Sequence, residues 1–407
     1  LRAQLALTRR DDGLEALGRA AAEGEGLARL HGVWGLGIIA RRGAAVYPGE
    51  GDGFTALPDR EVRNKAYSVL LVLIGDGDAE VRAQAVKVLG ESGIVGDRVN
   101  FGGLMQDSSA RVRMFAAISA GRTGAVGSLP YVWQMLETNA DRDPYLRHAG
   151  VHAMELLSQP EQLVALKSHR SASVRLAAVI ALGRIGHVGV GDFVGDPDAR
   201  VSDEAIRMIH DRAIEPVRPL VAKLLDGGAG EGRSLMMWFR LLHSAYRLGT
   251  GEQAGRVLRA ALDRELPDRV RREALRLLAH WATPHPVDQS LGRWNPLPGR
   301  KPEVAREALQ PQVEGLFGVE GRLLSAAMAV AESNRLDLAP LSDGRLRTMV
   351  LDFKLPGEAR ARALELYVGR EPEGLESFLV ELSGAADDAL ALTAIRRLAE
   401  AGAPEAV

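Results

Sequence analysis

His148 and His152 stand one helical turn apart, a spacing that can bring two imidazoles to one metal ion. Ala149-Gly150-Val151 lies between them without the glutamate of a zinc-peptidase motif, and no third ligand is indicated nearby, so a solvated or capping pair is the expectation. Asp76-Gly77-Asp78-Ala79-Glu80 opens like a calcium loop. Val81 and Lys87 stand where that loop needs its glycine and its last glutamate, which leaves an acidic turn. Gly186-His187-Val188-Gly189-Val190-Gly191 has the glycines of a dinucleotide fingerprint but follows a helical pattern, so its glycines are read as turn formers at positive φ. No nucleophile with an attendant histidine and acid can be read from spacing. Catalytic and cofactor-binding residues are therefore expected to be none, and metal ligands none beyond the weak candidates His148 and His152.

Pairing chemistry is richer. Asp78 precedes Arg82, Asp107 precedes Arg113, Asp143 precedes Arg147, Asp268 precedes Arg271, and Arg175 occupies an equivalent place. An aspartate so placed can cap the following helix and face an arginine of a neighbouring repeat, which makes a structural ladder of caps and ion pairs. The other use of such arginines, a row that reads phosphates, is the alternative. Trp281, Arg293 and Trp294 form a further candidate set, an anchor for a partner domain, because aromatic residues and arginine dominate interface energetics. The competing expectation is that the tryptophans only pin an irregular crossing.

The elements that must hold these residues are visible as a phrase, Val-Arg-x-x-Ala-x-x-x-Leu-Gly, that returns at intervals of about thirty residues. It runs from Val81-Arg82 through Ala85 to Leu89-Gly90, from Val112-Arg113 through Ala116 to Ala120-Gly121, and from Val174-Arg175 through Ala178 to Leu182-Gly183. Looser copies begin at Ala28-Arg29, Leu146-Arg147, Val201, Arg240, Val270-Arg271 and Ala359-Arg360. A spacing of four puts Val81, Ala85 and Leu89 on one helix face, the alanine lets two axes approach, and the glycine ends the helix or clears a crossing. The predicted fold class is all-α: a HEAT-like α-α superhelix, a solenoid of antiparallel helix pairs.

Composition agrees with that class. Hydrophobic residues make up 46% and aromatics only 5% of 407 residues, the usage of tightly packed helices and not of sheets. With 51 basic and 53 acidic residues the formal charge is −2, which provides no global field for gathering nucleic acid or anionic lipid. The absence of cysteine excludes disulfides, thiolate metal sites and C-x-x-C-H haem attachment within these residues. No apolar run is long enough to cross a bilayer.

Three parts are expected: a repeat solenoid over 1–280 with a Gly-rich loop near 43–55, a Pro- and Trp-rich linker over 281–302, and degenerate C-terminal helical repeats over 303–407. Both ends read as interiors of helical patterns, so the chain is expected to be a piece of a longer protein. The order Asp143-Pro144-Tyr145 with Arg147-His148-Ala149, then Val201-Ser202-Asp203-Glu204 to His210-Asp211, then His243-Ser244-Ala245-Tyr246-Arg247-Leu248-Gly249, then Trp281-Ala282-Thr283-Pro284 with Pro296-Leu297-Pro298-Gly299-Arg300, resembles the HEAT region of PVC-type bacterial membrane-bound dehydrogenases. Ser202 and His210 depart from the residues more usual there. The resemblance implies a propeller before this region and a c-type cytochrome domain after it. It thereby implies an exported or periplasmic setting, and haem c in the parent chain but none here.

The expected function is a noncatalytic scaffold whose stacked helices offer a long curved face to a partner protein or to neighbouring domains of the same chain, and the resemblance implies a redox parent. Nucleic acid is not an expected partner. Two alternatives differ in kind: a HEAT-like enzyme, either a DNA glycosylase or a tetrapyrrole lyase, and a passive structural spacer.

Overall fold

The computed structural model describes residues 1–10, 12–41, 60–93, 98–228, 232–319 and 322–401. The Gly-rich segment near 43–55 lies outside the described residues. What is described is all-α apart from one antiparallel ribbon of two short strands, Val287–Asp288 and Arg293–Trp294, inside the expected linker. No described helix is long and apolar enough to cross a membrane. The chain divides into two compact units, 1–214 and 215–407.

In the first unit one row of helices packs in succession: Leu27–Arg41, Ala79–Gly90, Ala110–Thr123, Pro144–Leu157, Ala172–Arg184 and Ala199–Asp211. The repeated phrase explains the row. Val81, Ala85 and Leu89 are buried together, as are Val112, Ala116 and Ala120, and Val174, Ala178 and Leu182. The glycine after each phrase serves a close crossing: a Cβ on Gly90 would sit 2.7 Å from the Ser119 Cα, and one on Gly183 would sit 2.7 Å from the Met208 Cβ. Ser119 uses that proximity to donate its hydroxyl to the Val86 carbonyl of the preceding helix at 3.0 Å. A second set of helices, including Gly13–Glu23, Arg60–Leu73 and Leu129–Asn139, packs against this row and completes the pairs.

In the second unit Leu235–Leu248, Gly251–Leu262 and Asp268–Ala279 pack on one another, and Arg322–Asn334 packs on Asp268–Ala279. Asp343–Leu351, Gly357–Val368 and Asp388–Glu400 then continue as a further succession. The stretch 281–300 crosses between Asp268–Ala279 and the helix Pro302–Leu309 as the ribbon and its flanking prolines, which supply no amide hydrogen for a helix.

Candidate functional site: an arginine ladder with one open rung

In the turns that lead into Ala79–Gly90, Ala110–Thr123 and Ala199–Asp211, an aspartate two residues before the cap braces the turn. The Asp76 carboxylate accepts from the Asp78 amide at 2.8 Å, Asp107 from the Ser109 amide at 2.7 Å, and Asp196 from the Asp198 amide at 2.9 Å. The cap is a separate residue: Asp78 accepts from the Glu80 amide and Asp198 from the Arg200 amide. Bracing leaves the carboxylate facing back toward the previous repeat, where an arginine meets it.

Arg82 and Arg175 meet it in one pose. Arg82 donates Nη1 to the Asp76 and Gly77 carbonyls of its own turn, and Nε and Nη2 to both Asp107 oxygens at 2.9 Å. Arg175 repeats this with the His169 and Arg170 carbonyls and with Asp196 at 2.7 and 2.9 Å. Arg29 pairs with Asp76. The hydrogen bond from Arg82 holds the Asp107 carboxyl below its ordinary range against the opposing effect of burial.

Two rungs break the pattern. Arg113 donates Nη1 to the Asp107 and Ser108 carbonyls at 2.7 and 3.0 Å, in the same pose, but its Nε and Nη2 meet no acceptor among the described residues. The turn that should answer it is built differently. Ala140 and Asp141 both take positive φ, 46° and 62°, and the side-chain Oδ1 of the buried Asn139 accepts from the Asp143 amide at 3.0 Å in place of an aspartate. Asp141 is thereby freed to pair with Arg147 at 2.7 Å and to approach Arg200 at 3.6 Å. At the next turn His169 replaces the bracing aspartate, its Nδ1 accepting from the Ser171 amide at 3.1 Å, so Arg147 finds no carboxylate there.

A groove of about 610 Å3 opens at the unanswered Arg113. Tyr131, 39% exposed, supplies its apolar surface over the buried Met105, Met135 and Leu146, with Gln134 and Arg142 also lining it. Arg142 directs Nε and Nη2 to the Asn139 and Thr138 carbonyls and meets no carboxylate among the described residues. A second groove, about 520 Å3, lies beside the His169 break and includes Arg147, His148, Arg184, Arg200 and Arg207. Arg147, Arg184, Arg200 and Arg207 are answered by Asp141, Glu155, Asp198 and Glu204, and the exposed Arg212 also lines this groove.

Several residues singled out in the sequence sit elsewhere than expected. Asp78 and Asp143 cap helices without meeting a neighbour's arginine; the rung carboxylates are Asp76, Asp107 and Asp196. Asp268 lies in the first turn of its own helix and reaches Arg271 three residues on at 3.3 Å, while Arg271 also donates to the Ala261 carbonyl. The rung aspartates share an Asp-x-cap triplet, Asp76-Gly77-Asp78, Asp107-Ser108-Ser109 and Asp196-Pro197-Asp198, but Asp141-Arg142-Asp143 has the same triplet without forming that rung. His148 and His152 stack with ring centroids 6.5 Å apart and planes 3° apart, and burial, then Arg122, pushes the His152 pKa down. No group of three His, Cys, Asp or Glu positioned for a metal occurs among the described residues. Gly186 adopts φ +70° in the turn before a short 3-10 helix, Val188–Phe193.

The linker residues do not come together. Trp281 is 0% exposed and meets Tyr246 edge to face at 5.4 Å, and the Arg300 guanidinium lies 4.8 Å from the Tyr246 ring and 5.1 Å from the Trp281 ring. Trp294 is 71% exposed on the ribbon beside Arg293. Beneath the ribbon His243 joins Glu273 through Nε2 at 2.7 Å and approaches Asp288 through Nδ1 at 3.5 Å. Burial alone would raise the Glu273 pKa, but the hydrogen bonds from Arg276 and His243 outweigh it and hold the carboxyl low. The space among these groups, about 20 Å3, has room for one water. This is a buried polar clasp that holds the ribbon to its helices.

Tandem helix pairs joined by an arginine–aspartate ladder define a repeat protein of the all-α class. The family model for HEAT repeats matches residues 67–155. No curated protein matches the chain. Among solved structures, the chain is similar to the Escherichia coli protein YibA, at 15% identity over 68% of this chain and 95% of that one, with a TM-score of 0.33. It is similar to the CpcE–CpcF complex of phycocyanin lyase from Nostoc, at 17% identity over 61% and 95% with a TM-score of 0.26. Yeast importin-beta, Kap95p, is similar at 12% identity over 98% and 58%, with a TM-score of 0.43. At these scores the likenesses carry no argument about what this chain binds or does.

Proposed function

We propose that this chain is a noncatalytic scaffold for protein or interdomain interaction, within a larger exported redox protein. The observation that carries the scaffold role is the 610 Å3 groove: it stands where the ladder lacks a rung, it is walled by side chains from three helices, and it combines apolar surface with polar groups. The redox setting is supported by the resemblance through Trp281-Ala282-Thr283-Pro284 and Pro296-Leu297-Pro298-Gly299-Arg300. In that setting Arg293 and Trp294 offer a surface contact for a neighbouring domain, with Trp281 supporting the ribbon from inside.

Site-specific photocrosslinking tests the scaffold role. A crosslinker placed at Gln134, in the groove, is expected to trap a polypeptide that one placed at the exposed Val72 does not. Equal trapping at both positions would defeat the assignment, and salt-sensitive retention on DNA or a pigment spectrum in the purified chain would replace it with an enzyme of the glycosylase or lyase kind. The redox setting is tested by the complete reading frame: a signal peptide upstream and a C-x-x-C-H motif downstream are expected.

A further inference from the structure

We infer that Arg113 receives a carboxylate from a partner polypeptide, so that the missing rung is completed from outside the chain. This rests on the scaffold function above and names the partner chemistry for the same groove.

The closed rungs show what the free edge of Arg113 is shaped to hold. In Arg82 and Arg175, Nη1 is spent on two turn carbonyls and the Nε–Nη2 edge takes both oxygens of an aspartate. Arg113 has the first half of this arrangement and lacks the second. Its two carbonyl contacts hold the guanidinium in place, so a carboxylate arrives at an oriented fork and can bind it at two points. The acids that share the groove are engaged: Asp107 with Arg82, and Asp143 with the amides of Tyr145 and Leu146. Arg142 adds a second cation without a carboxylate partner. The local balance therefore favours an anion.

The walls narrow its kind. Tyr131, 39% exposed, presents an aromatic ring on the groove that contains Arg113, which a small free anion would leave uncovered, while Met105, Met135 and Leu146 form its buried floor. A peptide with Asp or Glu next to a large apolar residue satisfies both features; a terminal carboxylate after such a residue offers the same chemistry.

The test is selection of a displayed library of short random peptides on the intact chain, followed by titration of a selected peptide. Selected peptides are expected to converge on one acidic residue beside a large apolar one. Affinity should fall about tenfold or more for Arg113→Ala and for the peptide with Asn in place of its Asp. Gln134→Glu, which sets an internal carboxylate in the groove while keeping Arg113, should weaken binding as well. Amidated and free-carboxyl forms of the peptide separate a side-chain source from a terminal one. Should Arg113→Ala fail to fold, the Asn peptide and Gln134→Glu still decide. Peptides that crosslink to Gln134 but lack a shared acid, or that carry phosphoserine and ignore carboxylates, overturn the inference and leave the scaffold role standing. An absence of any groove-binding peptide overturns both.

Discussion

The turn before the helix Ala110–Thr123 and the turn before Pro144–Leu157 begin from similar residues, Asp107-Ser108-Ser109 and Asp141-Arg142-Asp143, and end in opposite states. In the first, the leading aspartate braces its own turn and closes a rung with Arg82. In the second, Asn139 has taken over the bracing, two successive residues sit at positive φ, and the aspartate turns to Arg147 of its own repeat and toward Arg200 instead of to Arg113. One substituted brace thus changes which repeat a carboxylate serves. A closed rung spends its arginine on stability, and an open one leaves the same arginine available for recognition.

Substitutions can break or sharpen this contrast. The linker sets the upper end of the scale, since Trp281→Ala empties a fully enclosed site between Tyr246 and Arg300; a loss of about 3 to 5 kcal/mol is expected from the midpoint of urea unfolding. Arg175→Ala follows. It strands Asp196, whose side chain is only 4% exposed, and should cost about 2 to 4 kcal/mol by the same measurement. A value near zero for Arg175→Ala would mean that closed rungs do not stabilise the row.

Acid should discriminate between rungs. The folded-state pKa of Asp107 is depressed by Arg82, so its contribution is present above the unfolded value of about 3.9 and disappears as pH falls through the lower folded value. Thermal melting of Asp107→Asn should accordingly show a shallower loss of stability in acid than wild type shows. Arg113→Ala strands no carboxylate and removes only its hold on two turn carbonyls, so its cost is expected at about 1 kcal/mol or less. A cost equal to that of Arg175→Ala would erase the distinction between open and closed. Smallest of all, Trp294→Ala should stay within about 0.5 kcal/mol in unfolding, because its ring is mostly in solvent, and any larger effect belongs to domain association.

The row of helices was legible because its physics is local: a side chain every fourth residue shares a face, and Val81, Ala85 and Leu89 are buried together as that spacing requires. Capping by Asp78 and Asp143 was legible for the same reason. The rung partners were not. Asp76 and Asp196 lie in the turns, and the distinction between bracing and capping depends on φ and ψ over a few residues. His243, Glu273 and Asp288 were equally hidden, since three separated segments must meet before their charges interact.

From the residues alone came the helical repeat, the near-neutral charge that gives no global pull on nucleic acid, and the proline-broken stretch after Trp281, each set by composition or by contacts within a few turns. Only the packed chain decided that Trp281 faces inward while Trp294 faces out, and that Arg113 is left without the carboxylate its counterparts hold. Such outcomes depend on where a neighbouring repeat places its backbone, to within the reach of one hydrogen bond.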